Sequence, residues 1–319
     1  MQKIEISLVV PVYNEEDNID DFLSKITEVF EKINETYEVI FVLDPSSDNT
    51  ESKILENIEK NTNVKLIVLS RKFGQPISTV AGIEHCNGNY CVIIDVDMQD
   101  PPEVIEEMYK KIKNEKLDVV YAVRKSRVGE TFIKKIITKL GYKLINKLSD
   151  IDIPKNTGDF RIISKRIIDE LKKFDEKEAF LRGLVSYIGF KQKHILFDRK
   201  ERSKGESKYN KYFGSFKIGI NGIVGFSSKP LFFMTIVGFT LSLISFLLGG
   251  WYFIQKLVGI NLTPGLTTTV ILISFYSGIQ LFGLGLLGEY VGRIYEQVKK
   301  RPKYILDKKI NFNQEKIDN

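Results

Sequence analysis

Short apolar runs alternate with amphipathic stretches over the first part of the chain. Predominantly apolar runs of five or six residues recur there, at positions 6–10, 39–43, 64–69, 90–94 and 119–123. Their length is that of buried strands, and the apolar residues between them recur at helical spacing, as in 19–33. Strands that alternate with helices predict an α/β fold with a mostly parallel sheet.

The pattern weakens after residue 123. Helical spacing of apolar residues predicts helices at 132–148, 167–174 and 180–187, and a further apolar run predicts a strand at 193–198. The next segment, 199–209, is too polar for a core and too rich in Gly and Ser for a stable helix. It is therefore predicted to be a basic loop.

Residues 209–229 combine an apolar face with lysines elsewhere. The apolar face consists of Phe213, Phe216, Ile220 and Ile223. A helix of this kind just ahead of a membrane span is predicted to lie in the membrane interface. The alternative is an ordinary amphipathic helix docked on the soluble part of the chain.

Two long stretches in the last third of the chain contain no Asp, Glu, Lys or Arg, namely 230–255 and 257–288. A membrane-spanning helix needs about 20 mainly apolar residues, and both stretches are longer than that. They predict two membrane spans, at 231–254 and 266–287, in preference to two buried core helices. The second span contains glycines that favour close helix packing within the chain or between copies: Gly283, Gly285, Gly288 and Gly292.

The net charge of the chain is +6, and the basic residues crowd on either side of the apolar stretches. Between those stretches the only charge is Lys256. This distribution favours an anionic membrane surface or a phosphorylated ligand over duplex nucleic acid. By the positive-inside rule, both ends of the chain are predicted to be cytoplasmic.

The candidate chemistry begins at Asp95 and Asp97, directly after the apolar run 90–94. Ligands bind at the carboxyl ends of the strands in an open α/β sheet. On an extended segment residues i and i+2 point the same way, so these two carboxylates are predicted to share a ligand. Hard oxygen ligands suit Mg²⁺ or Mn²⁺, whereas the alternative is a solvated strand end. The sequence has neither a Gly-x-Gly-x-x-Gly fingerprint after the first strand nor a P-loop.

Six segments together carry a resemblance to a known family. They are 11–16, 44–50, 71–74, 95–103, 156–161 and 199–209. In this order, and followed by two spans, they resemble the membrane-anchored polyprenyl-phosphate glycosyltransferases of family 2. That group includes bactoprenol glucosyltransferases of the GtrB type and dolichyl-phosphate mannose synthase. The resemblance implies an α/β fold of the GT-A nucleotide-diphosphosugar transferase type, followed by the interfacial amphipathic helix and two transmembrane helices.

The resemblance also implies roles for individual residues. Contacts with the nucleotide sugar are expected from Pro11, Tyr13, Glu15, Asp44, Arg71, Asp95, Arg202 and Lys208. A Mg²⁺ or Mn²⁺ ion on the diphosphate is expected at Asp95, Asp97 and Gln99. Asp159 is similar to the family's proposed base or acceptor-orienting carboxylate, and Arg124 and Arg127 resemble arginines near the acceptor phosphate.

From the residues alone, plainer roles remain open for several of these side chains. Asp159 fits a helix N-cap, since it follows a polar turn. Arg202 and Lys208 fit a solvated basic loop, and Arg124 and Arg127 fit the protein surface.

The function implied by the resemblance is the inverting transfer of one sugar to a polyprenyl phosphate, such as undecaprenyl phosphate, for cell-envelope glycosylation. Glucose from UDP-glucose is the leading donor, and mannose from GDP-mannose, GlcNAc or a modified sugar are alternatives. The implied regions are a cytoplasmic catalytic domain (1–208), a juxtamembrane helix (209–229), a transmembrane hairpin (230–291) and a cytoplasmic tail (292–319). The expected partners are the nucleotide sugar, the lipid phosphate, the cell membrane and further copies of the chain in a dimer or tetramer.

One segment departs from the family pattern. Where the family usually carries Asp-Asp-Gly-Ser, this chain has Leu43, Asp44, Pro45 and Ser46. Proline fixes φ near about −65°, so the turn does not need a positive φ at Pro45. The departure leaves the choice of nucleotide open.

Three other functions compete with this interpretation. A processive polysaccharide synthase would carry a Gln-x-x-Arg-Trp segment, but the only tryptophan is Trp251, inside a predicted span. A non-catalytic nucleotide-sugar sensor or scaffold is opposed by the presence of Asp95, Asp97, Asp159 and Arg202. A nucleic-acid-binding protein is opposed because the basic residues lie beside the spans and lack interleaved stacking aromatics.

Overall fold

The computed structural model describes residues 3–125, 157–176, 180–198, 224–259 and 265–312. Its elements follow one another as β1 (Ile6–Val12), α1 (Ile19–Ile33), β2 (Tyr37–Leu43), α2 (Thr50–Lys60), β3 (Val64–Leu69), α3 (Gln75–His85), β4 (Tyr90–Ile93), α4 (Val104–Asn114), β5 (Val119–Arg124), β6 (Thr157–Ser164), α5 (Lys165–Leu171), α6 (Leu181–Ile188), β7 (Gln192–Phe197), α7 (Lys229–Leu257), α8 (Leu266–Val298) and β8 (Leu306–Ile310).

Some predicted elements fall outside the described residues. They are the helix at 132–148, the basic loop at 199–209 and most of the amphipathic helix at 209–229. From the last of these, residues 224–229 are described: 224–226 are helical, and Lys229 begins α7.

The described strands form one mixed sheet in the order β7-β5-β6-β4-β1-β2-β3-β8. β1 to β4 run parallel to one another, whereas β6 is antiparallel to both of its neighbours, β4 and β5. The carboxyl ends of β1 to β5 therefore lie along one side of the sheet, and β6 begins on that same side. We call this side the carboxyl edge.

The five predicted strands of the first 125 residues are confirmed, each to within two residues at either end. The later predictions of two helices and a strand at 167–174, 180–187 and 193–198 are confirmed with similar shifts, as α5, α6 and β7. The mostly parallel sheet is correct for β1 to β4, but the reversed β6 was not predicted. It is short of apolar residues at its start, where the polar segment 156–161 lies.

Helices cover both faces of the sheet and enclose two buried apolar clusters. α1, α2 and α4 pack on one face, where Phe22 and Met108 lie in the same cluster as Leu8. α3, α5 and α6 pack on the other face, where Ala81 lies in the same cluster as Val9. Leu8 and Val9 are consecutive in β1 and point to opposite faces, as the pleat of a strand requires. The sheet is thus a rigid support, buried on both sides, for the loops at its carboxyl edge.

α7 and α8 are long, apolar and largely exposed within the chain. Their apolar segments are Lys229–Gln255, with 27 residues, and Thr268–Val298, with 31 residues. At about 1.5 Å per residue each is longer than the ~30 Å hydrocarbon core of a bilayer. The hydroxyls of Ser245 and Tyr276 form a hydrogen bond of 3.0 Å between the two helices. By length and composition, both helices are able to cross a membrane.

After α8 the chain returns to the sheet. β8 pairs antiparallel with β3, with Leu306 opposite Leu69 and Ile310 opposite Leu66. The Ser70 N–H also donates a hydrogen bond of 2.9 Å to the carbonyl that precedes β8. The connection from the apolar helices therefore enters the sheet at the carboxyl edge.

Residues 299–312, which we call the C-terminal strap, are bound to the flank of the sheet. Tyr304 OH donates to Glu84 Oε2 at 2.6 Å, and Lys303 Nζ donates to Glu84 Oε1 at 2.9 Å. Beyond β8, Asn311 Nδ2 donates to the carbonyl of Val64 at 2.7 Å. These bonds hold the strap against the C-terminal end of α3 and the start of β3.

Candidate functional site

Two loops at the carboxyl edge are joined by backbone-to-side-chain hydrogen bonds. The Asn14 N–H, between β1 and α1, donates to Ser46 Oγ at 2.9 Å, and the Ser47 N–H donates back to Asn14 Oδ1 at 2.9 Å. The Glu15 N–H donates to Thr50 Oγ1 at 2.8 Å. Asn14 has a φ of 52°, a left-handed conformation that Asn tolerates better than most residues. These bonds fix the loop that carries two of the predicted nucleotide contacts.

Pro11 is buried in β1 where that strand outlasts its neighbour β4. The Ile94 N–H donates to the Val9 carbonyl at 3.2 Å, so Val9 turns its backbone groups toward β4. Pro11, two residues further on, has the same orientation, but the pairing with β4 stops at Ile93. The N–H that proline lacks is therefore not needed for the sheet.

Asp44 follows β2 and is 3% exposed. Its carboxylate accepts hydrogen bonds from the backbone N–H groups of Phe73, at 3.0 Å, and Gly74, at 2.8 Å. Gly74 has a φ of +91°, which only glycine adopts without strain. Both carboxylate oxygens are thus used to hold the loop between β3 and α3. The resemblance gives Asp44 a contact with the nucleoside, whereas here its oxygens bind the loop that faces the same edge.

Two cations lie over aromatic rings beside this loop. The Arg71 guanidinium is 4.0 Å from the centroid of the Phe73 ring, and Lys72 Nζ is 3.5 Å from the centroid of the Tyr13 ring. Arg71 and Lys72 are exposed, and both rings are partly exposed. Aromatic faces suit a nucleobase, and adjacent cations suit a diphosphate. Lys72 did not emerge from the sequence, because nothing there places it on Tyr13.

Asp95 and Asp97 lie in a turn and not on an extended strand. β4 ends at Ile93, and the chain turns at Val96 and Asp97, with Met98 at a φ of 60°. The prediction that the pleat of a strand makes both carboxylates point one way is therefore wrong. The turn, and not the strand, sets the positions of the two side chains. It buries Val96 and leaves both aspartates partly exposed.

The side chains at this turn have partners that orient them. Gln75 Nε2, in the first turn of α3, donates to Asp95 Oδ1 at 2.7 Å. The Gln99 N–H donates to Asp97 Oδ1 at 3.1 Å. Among the residues that the structure describes, no group of three or more His, Cys, Asp or Glu side chains is placed to hold a metal ion by itself. A pair of carboxylates does fit a hard divalent cation that takes its other ligands from phosphate oxygens.

Arg124 ends β5 and lies between the β4–α4 loop and β6. Its Nη2 is 4.0 Å from Oδ1 of the buried Asp100. A Cβ on Gly158 would be 3.3 Å from the same nitrogen, so glycine leaves room for the guanidinium. A cation is thereby placed at the carboxyl edge beside the start of β6.

Asp159 is the third residue of β6, at the carboxyl edge of the sheet. Because β6 runs antiparallel to β4 and pairs Arg161 with Ile93, Asp159 lies beyond the end of β4, on the side where Asp95 follows it. The alternative role as a helix N-cap is wrong, since Asp159 is in a strand. Its carboxylate is 38% exposed and lies 3.3 Å from Arg182 Nε of α6.

Arg161 lies beneath Asp159 and is almost fully buried. Burial is the main cause that lowers the pKa of its guanidinium to about 10, and the Asp159 carboxylate partly opposes that shift. The group therefore keeps its charge at neutral pH. Arg161 and Arg182 together supply two positive charges to one carboxylate.

The structure thus brings Tyr13, Glu15, Asp44, Arg71, Asp95, Asp97, Gln99, Arg124 and Asp159 to one edge of the sheet, with Pro11 in the strand below. Arg127, Arg202 and Lys208 lie outside the described residues. Four further residues at this edge had no predicted role: Lys72, Gln75, Arg161 and Arg182. Arg161 belongs to a segment that the resemblance had drawn attention to, whereas Arg182 has no local signal.

A model of the family described as glycosyl transferase family 2 matches residues 7–172. The match covers just over half of the chain, from β1 to the end of α5. The chain belongs to glycosyltransferase family 2. The predicted GT-A architecture with two apolar C-terminal helices is confirmed for this family 2 glycosyltransferase.

Individual relatives match this glycosyltransferase over almost its whole length. An uncharacterized glycosyltransferase of Synechocystis sp. is 40% identical over 304 residues, 95% of each chain. The uncharacterized glycosyltransferase YkcC of Bacillus subtilis is 41% identical and covers 98% of this chain and 97% of its own. The SfII prophage-derived bactoprenol glucosyl transferase of Shigella flexneri is 38% identical and covers 96% of this chain and 98% of its own. At this coverage the similarity includes both apolar helices.

Proposed function

We propose that this glycosyltransferase moves a single glucose from UDP-glucose to a polyprenyl phosphate, such as undecaprenyl phosphate. One observation carries the proposal. Asp95, after β4, and Asp159, in β6, lie at the carboxyl edge, and the chain that returns from the apolar helices enters the sheet at this same edge. A nucleotide sugar is dissolved in water and a lipid phosphate is held in a membrane, so their reaction needs a site of this kind. The relatives named bactoprenol glucosyl transferase support this choice of sugar and acceptor.

In the proposed reaction an oxygen of the lipid phosphate attacks the anomeric carbon of the sugar. The bond from that carbon to the nucleoside diphosphate breaks, and the diphosphate leaves with the bonding electrons. Attack from the opposite side inverts the configuration. The acceptor oxygen is already anionic at neutral pH, so no proton has to be removed from it. Asp159 then serves to orient the acceptor, and Arg124 and Arg127 bind its phosphate.

The nucleotide sugar is proposed to lie across the loops at the carboxyl edge. Tyr13, Glu15 and Arg71 would contact the nucleoside diphosphate directly, while Pro11 and Asp44 would hold the backbone that surrounds it. Arg202 and Lys208 would close over the diphosphate, as the resemblance implies. This division of roles follows from burial, since Asp44 is almost fully buried and both of its carboxylate oxygens accept from backbone N–H groups.

Asp95, Asp97 and Gln99 would hold a divalent cation, Mg²⁺ or Mn²⁺, together with diphosphate oxygens. When bound, such a cation neutralises the charge that develops on the leaving diphosphate. The fit rests on a pair of hard carboxylates, one of them oriented by Gln75.

The proposal also includes the division of the chain and its orientation. Residues 1–208 would form the catalytic domain, 209–229 the juxtamembrane helix, 230–291 the membrane hairpin and 292–319 a C-terminal segment that adds β8 to the catalytic sheet. Basic residues flank the apolar helices on the side of the catalytic domain, which favours a cytoplasmic location for that domain and for both ends of the chain.

The test is a transfer assay on the full chain in detergent. The protein is given undecaprenyl phosphate and a panel of labelled nucleotide sugars, with manganese, with magnesium or with a chelator, and label in the organic phase is counted. We expect label from UDP-glucose that the chelator abolishes, and a loss of about 100-fold or more in Asp97→Asn. Asp169→Asn removes an exposed carboxylate of α5 and serves as the matched control with full activity.

Each outcome bears on a different part of the proposal. Lipid-linked label from another donor alone would keep the reaction and overturn glucose as the sugar. No lipid-linked label from any donor, while nucleotide binding is intact, would overturn the transfer and favour the sensor function. Equal activity with and without the chelator would overturn the divalent cation.

A further inference from the structure

Asp159 is contacted by two arginines that differ in what holds them. Arg161 donates to carbonyls of its own strand, from Nη2 to Gly158 at 3.0 Å and from Nε to Asp159 at 3.2 Å. Its nearest approach to the Asp159 carboxylate is 3.9 Å, which is too long for a hydrogen bond. Arg182 Nε is 3.3 Å from that carboxylate. The nearer charge therefore comes from α6 and not from β6.

Arg182 is fixed by a second contact. Its Nη1 donates a hydrogen bond of 3.0 Å to the carbonyl of Thr157, the first residue of β6. The side chain is 17% exposed, and its guanidinium lies 5.2 Å from the centroid of the Phe180 ring. One planar guanidinium thus spans the backbone at the start of β6 and the carboxylate two residues further on. The contact between Nε and the carboxylate is an ion pair and not a hydrogen bond. The Nη1 hydrogen bond thus anchors a positive charge that favours orientations of the Asp159 carboxylate facing it.

The helix that carries Arg182 rests on the base of the apolar helix pair. Phe180 and Gly183, on either side of Arg182 in the sequence, both lie against Phe226, which is just ahead of α7. The ring centroids of Phe180 and Phe226 are 6.1 Å apart, and a Cβ on Gly183 would collide with the Phe226 ring. From α8, Tyr290 OH donates to the carbonyl of Ser227 at 2.8 Å. The location of Arg182 is therefore set by the same residues that connect the catalytic domain to its apolar helices.

We propose that Arg182 is a positioning residue that holds the Asp159 carboxylate in the orientation required by the lipid acceptor. The inference rests on the proposed function and adds a residue to it. An exposed carboxylate at a strand end samples several rotamers, and only some of them face an acceptor arriving from the membrane side. Supporting residues of this kind fix the geometry of the group that touches the substrate.

The test compares Arg182→Gln, Arg182→Lys, Asp159→Asn and the Arg182→Gln/Asp159→Asn double variant in the transfer assay. Because a misplaced reacting group costs about 10²-fold, we expect Arg182→Gln to lower kcat by about 10- to 100-fold while the KM for UDP-glucose changes little. Arg182→Lys keeps the charge but not the planar guanidinium that is anchored on Thr157, and we expect it to restore part of the lost kcat. Arg166→Gln removes an exposed arginine of α5 that stacks on Phe190 and is the matched control.

The double variant separates positioning from a general structural role. If Arg182 acts through Asp159, adding Arg182→Gln to Asp159→Asn lowers kcat no further, since the two residues act as a unit. Additive losses, or a loss no greater than that of Arg166→Gln, would overturn the proposal. Full activity of Asp159→Asn would overturn it as well. An inactive wild-type chain that still binds UDP would instead point to failure of the proposed function, and binding of UDP by each variant checks that it has folded.

Discussion

At the scale of single residues, the carboxylates of the carboxyl edge fall into two groups by their exposure. Asp44 is 3% exposed, and each of its carboxylate oxygens accepts a hydrogen bond from a backbone N–H group of the β3–α3 loop. The Asp159 side chain is 38% exposed and lies 3.3 Å from Arg182 Nε and 3.9 Å from Arg161 Nη2. A buried carboxylate with backbone donors stabilises a loop, whereas an exposed one has oxygen surface left for a ligand.

The first prediction concerns Asp44. Asn in its place offers one acceptor oxygen, and its amide group would face a backbone N–H. We expect Asp44→Asn to lower the free energy of unfolding by about 1–3 kcal/mol, the cost of a buried donor left without an acceptor. Because the loop of Phe73 and Gly74 loosens, UDP binding should weaken by about ten-fold, which corresponds to about 1.4 kcal/mol.

Thermal unfolding in detergent and calorimetric titration with UDP measure these two effects. Asp169→Asn, on the exposed face of α5, is the control for removal of one negative charge. Unchanged UDP affinity in Asp44→Asn would show that the loop does not shape the nucleotide site.

At the scale of elements, α6 (Leu181–Ile188) is the piece that connects the site to the apolar helices. Its residue Arg182 forms an ion pair with Asp159, and its residue Gly183 packs against the ring of Phe226. Gly183 has no room for a methyl group, because a Cβ would lie 2.6 Å from Phe180 Cδ1 and closer still to the Phe226 ring. The separation between α6 and the base of α7 is thus fixed by a glycine.

The second prediction is that Gly183→Ala displaces α6 and with it Arg182. We expect kcat for transfer to lipid to fall by about ten-fold or more, as misplacement of a reacting group does. UDP affinity should stay close to that of the wild type, because the nucleotide loops are carried by β1 to β4. Gly238→Ala in α7 has nothing within 4 Å of the added Cβ and is the control.

Steady-state kinetics on the two glycine variants, together with UDP titration, measure the effect. A Gly183→Ala enzyme with wild-type kcat would mean that Phe226 yields to the methyl group and that α6 keeps its position.

The elements with a strong sequence pattern are the ones that were predicted. β1 to β5 are buried on both faces and are therefore nearly all apolar, so each is visible as a run. β8 lies at an edge of the sheet and has three charged residues among its five. Because it is not buried on both faces, its sequence shows no apolar run. β6 was hidden for a related reason, since it opens at the carboxyl edge with polar residues. Edge strands and strand ends facing a site carry the least apolar signal.

The residues of the site divide in the same way. Asp95 is part of an Asp-x-Asp pair after an apolar run, and Asp159 was named only by the family resemblance of its segment, so both were predicted without the structure. Arg182 and Lys72 act through partners more than twenty residues away in the chain. The contact of Arg182 with β6 depends on how α6 packs, and neither spacing nor composition reports that. The turn at Val96 shows a further limit, because the sequence does not reveal where a strand stops.

At the scale of the whole molecule, the C-terminal strap holds the catalytic sheet next to the apolar helices. His85, at the end of α3, lies beneath the strap, with its ring centroid 6.2 Å from those of Tyr304 and Phe312. Burial lowers the pKa of His85, Lys309 and Lys172 act in the same direction, and the Ala81 carbonyl and Glu84 oppose the shift. The neutral ring donates from Nδ1 to the Ala81 carbonyl at 2.8 Å.

The third prediction is that acid weakens the docking of the strap. In the unfolded chain His85 titrates near about 6.5, and in the folded chain its pKa is lower. As the pH falls below about 6.5 the unfolded state takes up the proton first, so stability that is fully present above this pH is lost toward the lower folded pKa. We expect the thermal midpoint to drop between about pH 7 and pH 5, and to drop less in His85→Gln.

The chain has only one other histidine, which makes a clean control possible. His194→Gln changes an exposed residue of β7 and should retain the pH dependence of the wild type. If the thermal midpoint falls with pH by the same amount in the wild type and in His85→Gln, the acid sensitivity comes from other groups.

The return of the chain to β3 also fixes the order in which the protein is completed. β3 is made early in synthesis, but its partner β8 comes after both apolar helices in the sequence. Until those helices have left the ribosome, the outer edge of β3 has open backbone groups, which are prone to wrong pairing. β8 is able to pair with β3 only after both apolar helices have been synthesised. We therefore expect this edge of the sheet to close late in folding, after the rest of the sheet has formed.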